Sequence, residues 1–173
     1  RVTGIIEILP VSDALKIIKK HYPALQKLLV LNENTTTWRK EEQILDTLSQ
    51  RFNLSATYNL VDDFEQWKTA FVDGNKNYDL IYISTHAAIK GWDKSEAVDF
   101  IAENIKVPVF TCEDFMMPYA VIGVTKIAEE HGIWAAASAK NILSGISPET
   151  ISVARNKESN KYVNIKLAEK IDF

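Results

Sequence analysis

The sequence predicts an α/β fold: a Rossmann-like, doubly wound parallel sheet covered by helices on both faces. Short apolar runs rich in β-branched residues alternate with amphipathic stretches of helical length, in the order βαβαβαβαβ. Connections of that length are crossovers, and crossovers place successive strands parallel. With 173 residues and 46% hydrophobic composition the chain can bury one sizeable core, so a single domain over residues 1–173 is expected.

The strands are predicted from their apolar runs, and the helices from apolar stripes at spacings of one, three and four residues. The predicted strands are residues 2–9, 27–32, 54–60, 78–83 and 107–111. The predicted stripes of the helices between them are Leu15, Ile17, Ile18 and Tyr22; Ile44, Leu45, Leu48 and Phe52; Phe64, Trp67 and Phe71; and Val98, Ile101 and Ile105. Each stripe is expected to face the sheet.

Polar residues mark the starts of these helices. Side chains that can cap a helix precede three of them: Ser12 or Asp13, Asp62 and Asp63, and Asp93 with Glu96 at capping-box spacing. Gly74 is expected to end the third helix. In the last third of the chain, the sequence predicts a short apolar segment at 120–124 and an Ala-rich helix at 126–143 that ends at Gly145. Strands are predicted at 150–153 and 162–165, followed by a short final helix from Leu167.

Composition and motifs exclude several classes of function. The formal charge of −3 and pI near 5.7 come without a basic cluster, so nucleic acid is not an expected partner. Cys112 is the single cysteine, which excludes an internal disulfide. The sequence contains neither GxGxxG nor GxxxxGK[ST], and its three histidines lack metal-ligand spacing. No cofactor and no metal are therefore expected.

Polar residues follow three of the predicted strands, at residues 32–37, 84–86 and 113–119. In open parallel sheets, ligands bind in the crevice beyond the carboxyl ends of the strands. Hydroxyls and backbone donors there suit an anion, and carboxylates suit an amine. Trp38, Trp92 and Tyr119 lie in or beside these exits and suit an apolar ligand body. The alternative is that Asn, Thr and Asp are present only because they favour loops and helix caps.

A flavodoxin-like enzyme is a second alternative. His86 and Cys112 follow two different strands, so an imidazole could activate the thiol, with Asp114 nearby in sequence. No third group that would orient the histidine is identifiable, and a lone cysteine is most often a small apolar core residue. The chain is therefore expected not to be an enzyme.

Several segments match a known family in order and spacing. They are RVTG at residues 1–4, KLLVLN at 27–32, YDLIYIST at 78–85, VPVFTCED at 107–114, NILSGISPETI at 141–151 and VNIKLA at 163–168. The first resembles an interlobe crossing commonly written N-V-T-G, and the last two resemble I-L-x-G-x-x-P-x-x-I and N-L-K-x-A. The chain resembles the C-terminal half of an ABC transporter substrate-binding protein, the second lobe of a type I periplasmic-binding-protein fold.

The resemblance implies a solute-binding function. Two lobes close on a small molecule, an aromatic or apolar amino acid being one candidate, and the receptor delivers it to an ABC permease in the membrane. The first lobe would precede Arg1, and residues 113–165 would include segments that cross between lobes. The resemblance also implies a periplasmic or extracellular location, with a lipid anchor on a missing N-terminus as one option. An isolated lobe is expected to be capable of self-association, and a ligand-sensing domain of a signalling protein is an alternative.

The resemblance also implies a set of ligand-binding residues. Residues 34–37 match the position of donors to a ligand carboxylate, Thr85 matches the next strand exit, and Asp114 matches a carboxylate that meets a ligand amine. His86 and Met116 depart from the small polar residues that are commoner there, and Met116 suits an apolar ligand body. The expected ligand-binding residues are Asn34, Thr36, Thr37, Thr85, His86, Glu113, Asp114 and Met116.

Overall fold

The computed structural model describes residues 2–173, so Arg1 and its part of the RVTG segment lie outside the described residues. The strands are β1 Ile5–Ile6, β2 Lys27–Glu33, β3 Ser55–Val61, β4 Leu80–Tyr82, β5 Val109–Thr111, β6 Ile122–Lys126, β7 Ala154–Arg155 and β8 Ser159–Val163. The α-helices are α1 Val11–His21, α2 Thr36–Arg51, α3 Phe64–Asn77, α4 Lys94–Asn104, α5 Ala128–Leu143 and α6 Ile165–Lys170. Two 3₁₀ helices span Asp114–Tyr119 and Pro148–Thr150.

Six strands form the central sheet in the order β3-β2-β4-β5-β6-β8. The first five are parallel, and β8 is antiparallel to β6 at the edge, with Ile122 opposite Val163. The strand order reverses at β2, because β3 lies on one side of it and β4 on the other. The predicted doubly wound α/β sheet is confirmed, with one antiparallel edge strand added. The crevice between β2 and β4 is its topological switch point.

The core is densest around β2. Every residue of this strand after Lys27 is buried, as expected for a parallel strand covered on both faces. Its neighbour β3 is an edge strand and alternates between exposed and half-buried residues. The third helix does not end at Gly74 as predicted. It continues to Asn77, and Gly74 instead lets α3 lie close to the sheet, since a Cβ there would be 2.6 Å from Leu29 Cδ2.

Three helix predictions need correction. Neither Ser12 nor Asp13 caps α1, because the helix begins at Val11, with Pro10 in the capping position. Ile44 is 61% exposed and Val98 is 38% exposed, so neither belongs to the buried stripe of its helix. In α4 the neighbouring Ala97 faces the core instead, together with Ile101. The predicted caps Asp63 and Asp93 are confirmed, since each side chain accepts a hydrogen bond from a backbone N–H of its helix.

The first and seventh strands form a separate two-stranded sheet. The predicted strand at residues 2–9 shortens to β1, which pairs in parallel with β7. The strand predicted at 150–153 is wrong, because the chain there leaves the 3₁₀ helix Pro148–Thr150 and pairs only at Ala154–Arg155. Helix α5 contacts β1, and only Ser138 among its described residues is buried. This part of the chain therefore contributes little to the core of the main sheet.

Candidate functional site

A cavity of about 690 Å³ lies beyond the carboxyl ends of β2, β4 and β5. The rest of its wall is formed by residues 6–9, the start of α1 and side chains of α2 between Thr37 and Leu48. The polar part of the lining includes Glu33, Thr35, Thr37, Ser84, Thr85 and Glu113. The apolar part includes Ile6, Ile8, Trp38, Ile44, Leu45 and Leu48. We call this space the strand-end cavity; its position at the switch point is where open α/β sheets bind ligands.

Buried polar groups lie at the switch point itself. Asn32 Oδ1 accepts a hydrogen bond of 2.7 Å from the backbone N–H of Ser84, and both residues are fully buried. Asn32 Nδ2 has no hydrogen-bond partner among the described residues. Buried polar groups are satisfied in the great majority of cases, so unpartnered ones beside a cavity call for an explanation. Ser84 is part of the cavity wall.

Helix α2 begins at the cavity and is held to the sheet by an indole. The Thr35 side chain caps the helix by accepting from the backbone N–H of Trp38. Trp38 Nε1 donates a hydrogen bond of 3.0 Å to Thr85 Oγ1, at the exit of β4. Trp38 is buried and packs edge-on against Tyr82. The N-terminal turn of α2, which is the positive end of its dipole, is thereby held against the cavity.

Two buried carboxylates in the cavity wall differ in their partners. Glu113 Oε1 lies 3.1 Å from Lys126 Nζ, which also contacts Glu7 Oε1 at 2.6 Å. Burial raises the pKa of Glu113, and the ion pair with Lys126 opposes that shift. Burial lowers the pKa of Lys126, but its hydrogen bonds to the two glutamates outweigh burial and raise it. Among residues 2–173, the one hydrogen bond to the Glu33 carboxylate is donated by the backbone N–H of Ala88 to Oε2, at 2.7 Å.

The structure brings three of the eight predicted ligand-binding residues into the cavity wall: Thr37, Thr85 and Glu113. Asn34 instead accepts hydrogen bonds from Arg39 and donates one to Asp62 outside the cavity. Asp114 is exposed and accepts from the backbone N–H of Phe115, as a residue at a 3₁₀-helix start does. These two therefore contact other parts of the protein.

The remaining three predicted residues lie outside the lining as well. Thr36 is exposed in the first turn of α2, and Met116 is 1% exposed in the core. His86 is half-buried and stacks on Trp92, with ring centroids 4.7 Å apart and planes 8° apart. Burial lowers the pKa of His86, so the neutral imidazole is favoured. No described contact tests a ligand role for any of the eight, which stay predictions.

Sequence reasoning did not include Glu33, Ser84 and Trp38 among the expected ligand-binding residues, although all three lie in the cavity wall. Glu33 directly follows the buried run KLLVLN. A carboxylate at the end of a strand that is covered on both faces is unusual, and this could have indicated a residue of the site. Ser84 carried no signal of its own, because its position opposite Asn32 depends on the pairing of β2 with β4. Trp38 was expected to suit an apolar ligand body, and it lies in the cavity wall.

The residues of the alternative enzyme are not arranged as a catalytic group. Cys112 is fully buried, and burial raises the pKa of its thiol to about 12. Asp114 is exposed, and the hydrogen bonds of the described residues include none that joins His86, Cys112 and Asp114. Within residues 2–173, no three His, Cys, Asp or Glu side chains cluster closely enough to hold a metal ion. No described helix is both long and apolar enough to cross a membrane.

An open doubly wound sheet with a mainly apolar cavity and a few polar groups at its switch point defines a ligand-binding α/β protein. The chain belongs to the family of ABC transporter substrate binding proteins, whose pattern matches it over residues 1–173. Proteins of this family are in general non-enzymatic and are typically periplasmic or extracellular. No curated protein matches the chain.

Several solved structures have a similar fold. A conserved domain protein from Vibrio cholerae is 20% identical with a TM-score of 0.74, over 99% of this chain and 58% of its own. A ligand-free, open substrate-binding protein with adhesive properties from Clostridium difficile is 18% identical, with a TM-score of 0.76. The match covers 99% of this chain and 58% of that protein's chain. An ABC domain in complex with L-Trp from Streptococcus pneumoniae is 16% identical, with a TM-score of 0.72. The match covers 98% of this chain and 59% of that protein's chain. The chain thus spans less than two thirds of the length of these structures.

Proposed function

We propose that this chain binds a small solute in the strand-end cavity as part of the receptor of an ABC transporter. The cavity itself carries the proposal: about 690 Å³ of space lies at the switch point of a doubly wound sheet. Its volume falls within the range of small-molecule sites, and its wall divides into an apolar part and a few convergent polar groups. Membership of the substrate-binding family makes transport the favoured use of such a site.

We further propose that the chain supplies one lobe of a two-lobed receptor, with residues 113–165 including segments that cross between lobes. Two observations support this. The chain spans 58% or 59% of the length of the three similar structures. Helix α5 is largely exposed although it carries apolar residues such as Ile133 and Leu143, which suits a surface covered by another part of the protein. Closure of a second lobe would then bury the ligand.

The proposed ligand is an amino acid with an apolar or aromatic side chain. Trp38, Ile44 and Leu48 offer an apolar wall for its body. The first turn of α2, with the hydroxyl of Thr37, offers donors to a carboxylate. The similar structure from Streptococcus pneumoniae holds L-Trp, which agrees with a ligand of this class. The proposed partner of the loaded receptor is an ABC permease, and a lipid anchor is the proposed means of holding the receptor near it.

A thermal-shift screen of the full-length protein against the standard amino acids tests this function. A ligand that binds only the folded state adds about 2.7 kcal/mol at a hundredfold excess over its Kd, so its binding raises the Tm. Ile44→Lys is expected to abolish the shift, because this exposed side chain lines the cavity. Ile165→Lys is the matched control: Ile165 is 66% exposed and does not line the cavity. A screen in which no amino acid shifts the Tm would contradict the proposed ligand class.

A further inference from the structure

One part of the chain stands apart from the six-stranded sheet. β1 pairs with β7 in a sheet of their own, and α5 contacts β1. We use the name peripheral unit for β1, α5, β7 and the chain that joins α5 to β7. Three connections join this unit to the main sheet: residues 7–10 lead from β1 to α1, residues 126–130 lead from the end of β6 into α5, and residues 156–158 lead from β7 to β8. The orientation of the peripheral unit depends on how these connections are held together.

The first and third connections are joined by an amide side chain. The β1–β7 ladder ends at Ile6 and Arg155. Directly after it, Asn156 Oδ1 accepts a hydrogen bond of 2.6 Å from the backbone N–H of Ile8, and Asn156 Nδ2 donates one of 3.0 Å to the carbonyl oxygen of Ile8. An amide carries both a donor and an acceptor, so this side chain pairs with Ile8 as a further strand residue would. Asn156 therefore continues the connection between the two segments where the backbone pairing stops.

The second connection is joined to each of the others. The Glu130 carboxylate accepts hydrogen bonds from the backbone N–H groups of Lys157 and Glu158, at 2.9 to 3.0 Å. Lys126 Nζ lies 2.6 Å from Glu7 Oε1, in the first connection. With the amide described above, side chains thus bridge all three pairs of connections. We call the three side chains that make these bridges the connection clasp: Lys126, Glu130 and Asn156.

The connection clasp is joined to the wall of the strand-end cavity. Residues 6–9, on the peripheral side, form one part of this wall, and Glu113, which follows β5, forms another. Lys126 contacts a carboxylate on each side, Glu7 at 2.6 Å and Glu113 at 3.1 Å. A shift of the peripheral unit would carry residues 6–9 with it, because they continue β1. The shape of the cavity therefore depends on the clasp.

We propose that Lys126, Glu130 and Asn156 are positioning residues, which hold the peripheral unit against the main sheet and thereby set the shape of the strand-end cavity. This rests on the proposed function only in that the cavity is taken as the solute site. Each bond of the clasp contributes a small part of the free energy of unfolding, because the bonded groups are half-buried or exposed. Loss of one bond is therefore expected to loosen the peripheral unit without unfolding the core of the main sheet.

Distance measurement by pulsed electron paramagnetic resonance tests the clasp in the ligand-free full-length protein. Nitroxide labels at Gln43→Cys in α2 and Lys140→Cys in α5, both exposed, report the separation between the main sheet and the peripheral unit. Cysteines other than the buried Cys112 are replaced by serine. Asn156→Ala is expected to shift or broaden the distance distribution, and Asn160→Ala, at an exposed position of β8, to leave it unchanged. A distribution in Asn156→Ala that equals the wild type would overturn the proposal, even if the Tm were lower.

Hydrogen exchange provides a second readout, which reports the bond itself. In Asn156→Ala the amide of Ile8 loses its acceptor, so it is expected to exchange about 2- to 10-fold faster, while the amides of β2 are unchanged. Asn156→Asp keeps an acceptor for that amide and is expected to retain its protection. Exchange of the Ile8 amide at the wild-type rate in Asn156→Ala would contradict the clasp.

A second variant decides if Asn156→Ala does not fold. Glu130→Ala removes the acceptor of the Lys157 and Glu158 amides and is expected to change the distance distribution in the same way. An unchanged distribution in Glu130→Ala would then overturn the proposal. Both measurements are made without ligand, so failure of the clasp leaves the solute-binding function intact, and failure of the thermal-shift screen contradicts the ligand class alone.

Discussion

The side chain of Asn32 and the backbone of Ser84 are joined by a hydrogen bond of 2.7 Å that connects two strand ends at the floor of the site. The described pairing of β2 with β4 ends at Val30 and Tyr82, two residues before this bond. Asn32 thus extends the connection between the strands beyond their backbone ladder. The bond positions Ser84, a residue of the cavity wall.

Loss of this hydrogen bond is expected to destabilise the protein. Asn32→Ala leaves the buried N–H of Ser84 without its acceptor, at a cost of about 1–3 kcal/mol in the free energy of unfolding. Urea denaturation followed by circular dichroism measures the change. Asn160→Ala, at an exposed position of the edge strand β8, is the control and is expected to change it by less than about 0.5 kcal/mol. Equal stability of both variants would contradict the role of Asn32.

Two helical glycines provide a matched test of packing. A Cβ on Gly74 would lie 2.6 Å from Leu29 Cδ2 and 3.1 Å from Ile81 Cδ1, both in the core. Gly74→Ala is therefore expected to cost about 1–3 kcal/mol through overpacking, more than the roughly 1 kcal/mol gained in helix propensity. A Cβ on Gly132 in α5 meets no atom within 4 Å, so Gly132→Ala is expected to stabilise by about 0.5–1 kcal/mol. Changes of the same sign in both Tm values would contradict this account.

Removal of Lys126 is expected to make stability pH-dependent. Burial places the pKa of Glu113 in the folded state above its unfolded value, and Lys126 limits that rise. In Lys126→Met the pKa of Glu113 rises further, so the folded protein binds a proton that the unfolded chain has lost. Stability then falls as pH rises from the unfolded pKa through the folded one. We expect Lys126→Met to be destabilised by about 1–3 kcal/mol near neutral pH and by less at about pH 4.

The double variant Lys126→Met with Glu113→Gln is the control for that prediction. It has no titrating group at position 113, so the difference in stability from the wild type is expected to change little over the same pH range. Guanidinium denaturation at a series of pH values measures both variants. A single variant whose stability deficit is the same at about pH 4 and about pH 7 would show that Glu113 is not the group responsible.

Cys112 is expected to be chemically inert in the folded protein. The residue is fully buried and burial raises the pKa of its thiol to about 12, so almost no thiolate is present near neutral pH. A chromogenic disulfide reagent at about pH 8 is expected to leave the folded protein unmodified and to titrate one thiol after unfolding in urea. Rapid stoichiometric reaction of the folded protein would instead support the thiol-based enzyme.

Much of the fold could be predicted because its signals are local. The run KLLVLN and the stripe around Trp67 depend only on neighbouring residues, and both form the predicted elements. The errors arose where contacts between residues far apart in the chain decide how a residue packs. Gly74 reads as a helix end, but it is required for the approach of α3 to Leu29. Ile44 fits the stripe of α2, but its side chain faces the cavity and not the core.

The site was less predictable than the fold. The sequence indicated which strand exits would meet, and residues from all three exits line the cavity. It did not indicate which side chain at each exit would face the cavity. Asn34 and Asp114 have the right chemistry, but nearby donors engage them elsewhere. Glu33 lies one residue before Asn34 and faces the cavity, because it still belongs to the strand whose alternation directs it there.

The sequence by itself determined the alternation of strands and helices, the doubly wound sheet and the family, because periodicity and motif order are properties of the chain. Only the tertiary structure decided that Asn32 contacts Ser84 and that Lys126 compensates the charge of Glu113. These relationships join residues far apart in the chain. Their geometry follows from strand order and packing, which no local pattern of residues specifies.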